Sequence, residues 1–209
     1  MVAHEWAHAE AAYRQGDDTA YMLGRLTLNP LKHIDPFMTI LLPAVLLMTH
    51  AGFLFGAAKP VPVNPRKYRQ YRRGDVIVSL AGIAMNLALF LVCGVLFAIT
   101  GVVGQGVPVL QESLAIFQRM LLLGMSFNLV LAFFNLIPIP PLDGSHVLYH
   151  LLPPGAGVRF RQLYAYGFIP IFVIVAFAPA LLRPFLWPVN QLMTLGLSLV
   201  GGFALPGVS

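Results

Sequence analysis

The stretch His4-Glu5-Trp6-Ala7-His8 decides how the rest of the chain is read. In a helix, residues four apart lie one turn apart on the same face, so the imidazoles of His4 and His8 can share one metal ion. A catalytic zinc takes three protein ligands and keeps a fourth position open for water. Glu5 sits beside a ligand but points partly sideways, so its carboxylate reaches that water rather than the metal, as the general base of a metallohydrolase must. Five residues with three fixed positions also arise by chance, as polar groups on a solvated helix, so the reading turns on a third ligand. One soluble zinc-protease pattern continues with Gly at position 11 and His at 14; Ala11 and Arg14 stand here and exclude it. The third ligand has to come from far away in sequence.

Composition decides the solvent. Of 209 residues, 58% are hydrophobic and only 10% charged, against about 25% charged in an ordinary soluble domain. With a mean hydropathy of +0.77, the chain reads as an integral membrane protein. The single cysteine, Cys93, lies in an apolar run, which excludes an intrachain disulfide and a thiolate zinc site. A formal charge of +5 would suit nucleic acid, but the basic residues gather in one connector between apolar spans, where they set orientation; no nucleic-acid partner is expected.

Met1 to Tyr13 is too short and too polar to cross a bilayer alone, so a preceding segment is expected. Gly16-Asp17-Asp18 stops the first helix. Leu23 to Asn29 reads as a short extended segment, ended by Pro30. Phe37 to Leu47, interrupted by Pro43 and followed by Thr49, His50 and Gly52, reads either as a re-entrant or half-crossing helix or as a full span, and its shortness favours the re-entrant reading. Between Ala58 and Pro65, the prolines at 60 and 62 forbid a helix and a central strand, leaving an edge strand or polyproline-like segment. Pairing of 23–29 with 58–64 would make a small sheet. Arg66, Lys67, Arg69, Arg72 and Arg73, against the one acid Asp75, place this connector in the cytoplasm by the positive-inside rule.

Clear spans run from Val76 to Thr100 and from about Met120 to Ile137, with 101–118 as an outer linker. Apolar segments at about 166–182 and 185–204, turning at Arg183-Pro184, read as a helical hairpin, with Tyr164, Tyr166 and Trp187 as interfacial anchors. The expected fold is an all-α polytopic membrane protein, a bundle of about five to six transmembrane or re-entrant helices with a small β-hairpin or sheet near the cytoplasmic face. It forms one domain over 1–209, with a zinc-site core over about 1–150.

The second span ends in Asn135-Leu-Ile-Pro138-Ile-Pro140-Pro141-Leu-Asp143-Gly144. These prolines break the helix and free backbone carbonyls, which lipid tolerates only where they face protein or a watery cavity. An ionisable residue at such a break usually has a partner or a function. Asp143 therefore reads either as a carboxylate ligand completing a site with two imidazoles or as the N-cap of a helix over 144–152.

Taken together, these stretches resemble the site-2 proteases, polytopic intramembrane zinc metalloproteases. The likeness rests on HEWAH at 4–8, Asn135-x-x-Pro138 leading to Leu142-Asp143-Gly144, and Ala81-Gly82-x-x-x-Asn86. Gly24 to Pro30 and Lys59 to Pro65 look like the small prokaryotic branch. The resemblance implies one zinc per chain held by His4, His8 and Asp143, with Glu5 activating water. Asn135 would polarise the scissile carbonyl or hold its oxyanion, and Asn86 would shape the cleft; helix-helix hydrogen bonding is the other reading of both asparagines. This sequence departs from the family in Ile83, where proline is usual, and in Ser145-His146 after Asp-Gly. His146 reads as a group that competes for the metal or orients Asp143, or as a residue on a helix surface.

The implied function is hydrolysis of a peptide bond in or beside a transmembrane segment of another membrane protein, in the cell membrane, with the site open to the cytoplasmic side. The partners are that substrate and the lipid bilayer. Two other readings use the same residues. One is a catalytically silent membrane scaffold; the other is a metal transporter, which would need acids and histidines along a path through the spans. Asp143 is the one acid within the spans outside the HEWAH helix.

Overall fold

Alanines at 3, 7, 9, 11 and 12 make the amino-terminal segment a strong helix former, and it folds as α1, Val2–Gln15, in the computed structural model, which describes residues 1–50 and 56–208. Gly16 ends the helix, as expected, in the left-handed conformation (φ 107°), its N–H reaching the carbonyls of Ala12 and Tyr13. The small side chains let the helix be approached closely. Ala9 packs with Ala20 and Val61, and Ala12 with Tyr68 and Val78.

Asp17, fully buried, ties the end of α1 to the next helix and to a distant loop. Its Oδ1 accepts from the backbone N–H and hydroxyl of Thr19, at the start of α2 (Thr19–Met22), and its Oδ2 accepts from the backbone N–H of Asn64. Two further asparagine and aspartate caps punctuate the chain. Asn29 caps a 3-10 turn at Pro30–His33, and Asp35 accepts from the N–H groups of Phe37 and Met38 to start a π-helical turn, Pro36–Leu41. That turn runs into α3, Leu42–Met48, where Pro43 sits in the first turn and breaks nothing. The six and seven residues of these two pieces fall short of a crossing length. Gly52, expected to help end this segment, lies outside the described residues.

The expected sheet does not form: no strand occurs among the described residues. The N–H groups of 58–64 that would build a ladder go elsewhere, Lys59 to the carbonyl of His33, Val61 to the Glu5 carboxylate and Asn64 to Asp17. Pro60 and Pro62 have none to give. On the other side, the Arg25 guanidinium bonds the carbonyls of Lys59 and Pro60, so a side chain replaces the partner strand.

Helix α4 is long, Tyr71–Gly106, and absorbs the first turns of the expected outer linker. The rest of that linker is a 3-10 turn, Pro108–Leu110, and the start of α5, Gln111–Asn135. Glycines at 101, 104 and 106 suggest a loop, yet apolar residues continue between them and the helix runs on. The chain divides inside α4 into two compact units, Met1–Met85 and Asn86–Ser209.

In the second unit α5 packs along α9 (Arg183–Val200), burying Met125, Leu129 and Val189 together with Phe90. Gln118 is fully buried, and its amide donates to the carbonyls of Phe97 and Phe203 while its oxygen accepts from the Leu205 N–H. This stitches the segment after α9 to α4 and α5. Between α5 and α9 lie α6 (Asp143–Leu151), α7 (Pro154–Gln162) with a 3-10 turn at Leu163–Tyr166, and α8 (Ile169–Phe177).

The bundle has fewer spans than expected. Among the described residues two helices are long and apolar enough to cross a membrane, α4 and the stretch Pro108–Asn135, or three if Pro154–Tyr166 and Ile169–Val175, bent by 84°, form one broken span. The expected carboxy-terminal hairpin is not found as a pair of spans: α8 has only nine residues, and Arg183, Asn190 and Gln191 leave the 18 residues of α9 too polar.

Candidate metal centre

The imidazoles of His4 and His8 converge, as the i, i+4 spacing requires. Their Nε2 atoms are 3.0 Å apart and their rings meet edge to face at 87°. His4 is buried and His8 half-buried. The Nδ1 of His8 lies 2.7 Å from the Val78 carbonyl, which can only accept, so Nδ1 carries the proton and Nε2 is left as the ligand atom.

Opposite the two rings, α4 presents Gly82. A Cβ on that residue would lie 2.5 Å from both His4 Cε1 and His8 Nε2, so hydrogen is the one side chain that fits there. The donor set suits zinc. Two Zn–N bonds of about 2.0–2.1 Å meeting at a tetrahedral angle set the nitrogens about 3.3 Å apart, close to the separation of the two Nε2 atoms.

Glu5, next in the chain to His4 on α1, is half-buried, and its Oε2 accepts a 2.8 Å hydrogen bond from the backbone N–H of Val61. The motif does not foretell that contact, because a backbone donor leaves no residue type to recognise. The roles of Val78 and Gly82 are equally hidden, although Gly82 stands in the Ala-Gly-x-x-x-Asn stretch, where a glycine inside a helix pattern marks a close approach.

The remaining expected site residues belong to the second unit. Asn86, fully buried, is its first residue and lies one turn along α4 from Gly82. Asn135 is the last residue of α5, and its Nδ2 donates back to the Leu131 carbonyl at 2.9 Å. An amide nitrogen has two N–H groups, so this bond uses one and leaves the second for another acceptor.

Asp143 is the first residue of α6. The N-cap is Leu142, so the capping reading of Asp143 does not hold. The segment before it folds back tightly, with the N–H groups of Ile139 and Leu142 bonding the carbonyls of Ile137 and Ile139, and with Ile137 and Leu142 buried against Ile171 and Leu182. Gly144 permits this return, since a Cβ there would collide with the Leu136 carbonyl.

A helix carrying HEWAH, a metal-ready histidine pair and long apolar helices define a membrane zinc metalloprotease of the site-2 type. The chain belongs to peptidase family M50, whose profile matches residues 1–178. It is 42% identical over 192 residues to "Putative zinc metalloprotease YwhC" of Bacillus subtilis, covering 90% of this chain and 80% of that one. It is 32% identical to the correspondingly named Rip2 proteins of Mycolicibacterium smegmatis and Mycobacterium tuberculosis H37Rv, over 88% and 87% of this chain. Of those two relatives the chain spans 66% and 64% of the length. No solved structure matches.

Proposed function

We propose that this metalloprotease hydrolyses a peptide bond in or beside a transmembrane segment of another membrane protein, using one zinc per chain held by His4, His8 and Asp143. The observation that carries the proposal is the convergence of the two Nε2 atoms, 3.0 Å apart, on the helix that also carries Glu5. A carboxylate oxygen from Asp143 is the donor type that completes such a pair. Zinc, when bound, supplies Lewis acidity toward the scissile carbonyl and the attacking water.

The chain's own groups do the rest. Glu5, its carboxylate oriented by the Val61 amide, takes a proton from the attacking water and returns one to the leaving amine. The second N–H of the Asn135 amide donates to the carbonyl oxygen as negative charge develops on it. Asn86 shapes the cleft wall. The substrate has to be extended at the cut, because helical hydrogen bonding would bury its carbonyl.

Charge supports a multi-pass topology with the site entered by water from the cytoplasmic side. Arg66, Lys67, Arg69, Arg72 and Arg73 precede the apolar part of α4, whose Val78 and Gly82 meet the histidines.

The test is zinc stoichiometry in the detergent-purified chain beside Asp143→Ala, followed by a cleavage screen with Glu5→Gln as control. One zinc per parent chain, greatly reduced in Asp143→Ala and retained in Glu5→Gln, with cleavage in the parent alone, is the expected result. Undiminished zinc in Asp143→Ala would remove that residue from the site.

A further inference from the structure

The second unit holds a cavity that the proteolytic reaction does not use. It has a volume of about 220 Å³ and is lined by His146 and Tyr149 of α6, Arg161 of α7 and Tyr164 of the following 3-10 turn. We propose that this cavity binds a phosphate group, of the kind that an anionic phospholipid headgroup carries.

The walls carry a permanent cation, an imidazole and two phenol rings. The Arg161 guanidinium carbon stands 4.6 Å over the centroid of the Tyr149 ring, and stacking holds the planar fork of N–H groups in a fixed attitude. Such a fork matches two oxygens of a phosphate. The Tyr164 hydroxyl is fixed 2.6 Å from Ser145 Oγ, whose own proton goes to the Leu142 carbonyl. The His146 ring meets the Tyr164 ring edge to face at 5.4 Å. Both side walls are therefore positioned before a ligand arrives.

The surroundings favour a lipid as the source. The segment Pro154–Tyr166 meets the apolar segment Ile169–Val175 at 84°, the geometry of an interfacial helix joined to one that enters the bilayer. Leu151, Val158, Tyr166 and Ile169 leave large apolar surfaces exposed around it, beside the charges of Arg159 and Arg161. Tyrosine and arginine together at the end of an apolar segment are the side chains that occupy the headgroup layer. The cavity is below the roughly 300–1,000 Å³ of pockets for drug-sized molecules, which suits a headgroup with the acyl chains left outside.

The experiment uses the whole chain, purified in an uncharged detergent, and follows melting temperature together with native mass spectrometry. The probes are phosphatidylglycerol, phosphatidylcholine and inorganic phosphate. Phosphatidylglycerol is expected to raise the melting temperature and leave one lipid on the chain, at concentrations where phosphatidylcholine does neither. Arg161→Gln should weaken this at least tenfold. Arg159→Gln, an exposed charge on the same helix, should leave it unchanged.

Protection by inorganic phosphate that Arg161→Gln abolishes would assign the site to a free anion, and protection by the lipid alone would assign it to a headgroup. Equal binding by the parent and Arg161→Gln would overturn the site, as would equal losses in Arg159→Gln. If Arg161→Gln does not fold, Arg161→Lys keeps the charge and loses the stacked fork. Its affinity should fall several-fold, and no change would again overturn the proposal.

Discussion

The backbone N–H of Val61 donates a 2.8 Å hydrogen bond to Oε2 of Glu5, so a residue 56 positions away fixes the orientation of the carboxylate that follows His4 in the chain. Val61 is itself held, buried against Ala9 of the same helix as Glu5 and Ala20 of α2, between two prolines that stiffen the chain on either side. A general base depends on orientation before it depends on basicity.

Val61→Pro removes this donor while keeping a side chain of similar bulk. A hydrogen bond to a charged group is worth about 1.5–3 kcal/mol, so kcat should fall roughly tenfold or more with zinc content and KM little changed. Val61→Ala keeps the N–H and loses packing, and should lower the melting temperature while kcat stays near the parent value. Steady-state cleavage of a membrane-protein substrate by the two variants separates the effects.

Gly82→Ala would force a methyl group into the space between the two imidazoles and α4, with contacts of 2.5 Å to His4 and His8. One or both rings have to rotate away, and the shared Nε2 geometry goes with them. Elemental analysis should find zinc reduced by tenfold or more in a protein that still inserts and remains helical by circular dichroism.

Asp17→Ala would remove the acceptor of three hydrogen bonds, two from Thr19 and one from Asn64, in a fully buried place. The expected loss is about 2–3 kcal/mol, because the donors are left without a charged acceptor. A fall in melting temperature confined to this variant, with no fall in Thr19→Val of comparable size, would show that the Asn64 bond carries most of it.

The amino-terminal unit has a defined response to pH. The hydrogen bond and charge of Lys67 hold the Asp18 carboxyl below its usual range, and the same pair raises Lys67. Asp18 therefore stabilises the fold above its unfolded value of about 3.9, and this is lost as pH falls through the lowered one. Lys67 contributes in full below about pH 10.4, and its share is lost as pH rises further. Burial, with the nearby charges of Asp75 and Asp17, pushes the Tyr68 phenol up as well, so its preference for the neutral form adds to the alkaline loss above about pH 10. Both members of the Asp18–Lys67 pair are exposed, so salt screens it; Lys67→Met should flatten the acid limb in low salt and change little in high salt.

The features legible in the sequence are those set by local physics. HEWAH falls on one helix because alanines surround it, Gly16 ends that helix, and α4 and α5 announce themselves by apolar length. Legibility fails where partners are distant. The β-favouring look of 23–29 and 58–64 says nothing of Asp17, Glu5 and Arg25, whose side chains take the hydrogen bonds a strand would have used. Glycines at 101, 104 and 106 read as a linker, but Gly101 and Gly104 are spaces for Phe203 and Leu205, residues a hundred positions on. Gln118 gives one signal, an uncharged polar residue just before an apolar run. Its three backbone partners explain why it is buried there.

The length of α4 acts as a depth gauge. At about 1.5 Å of rise per residue, its 36 residues extend about 54 Å, far more than a hydrocarbon layer of about 30 Å. The excess of about 24 Å has to stand out of the bilayer or be taken up by tilt, and Arg72, Arg73 and Asp75 mark one of the two ends of the apolar stretch. Counted from Val76, the first apolar residue, Val78 lies about 3 Å and Gly82 about 9 Å into the layer. The histidines that meet these two residues therefore belong near one end of the apolar part of α4 and not at its middle.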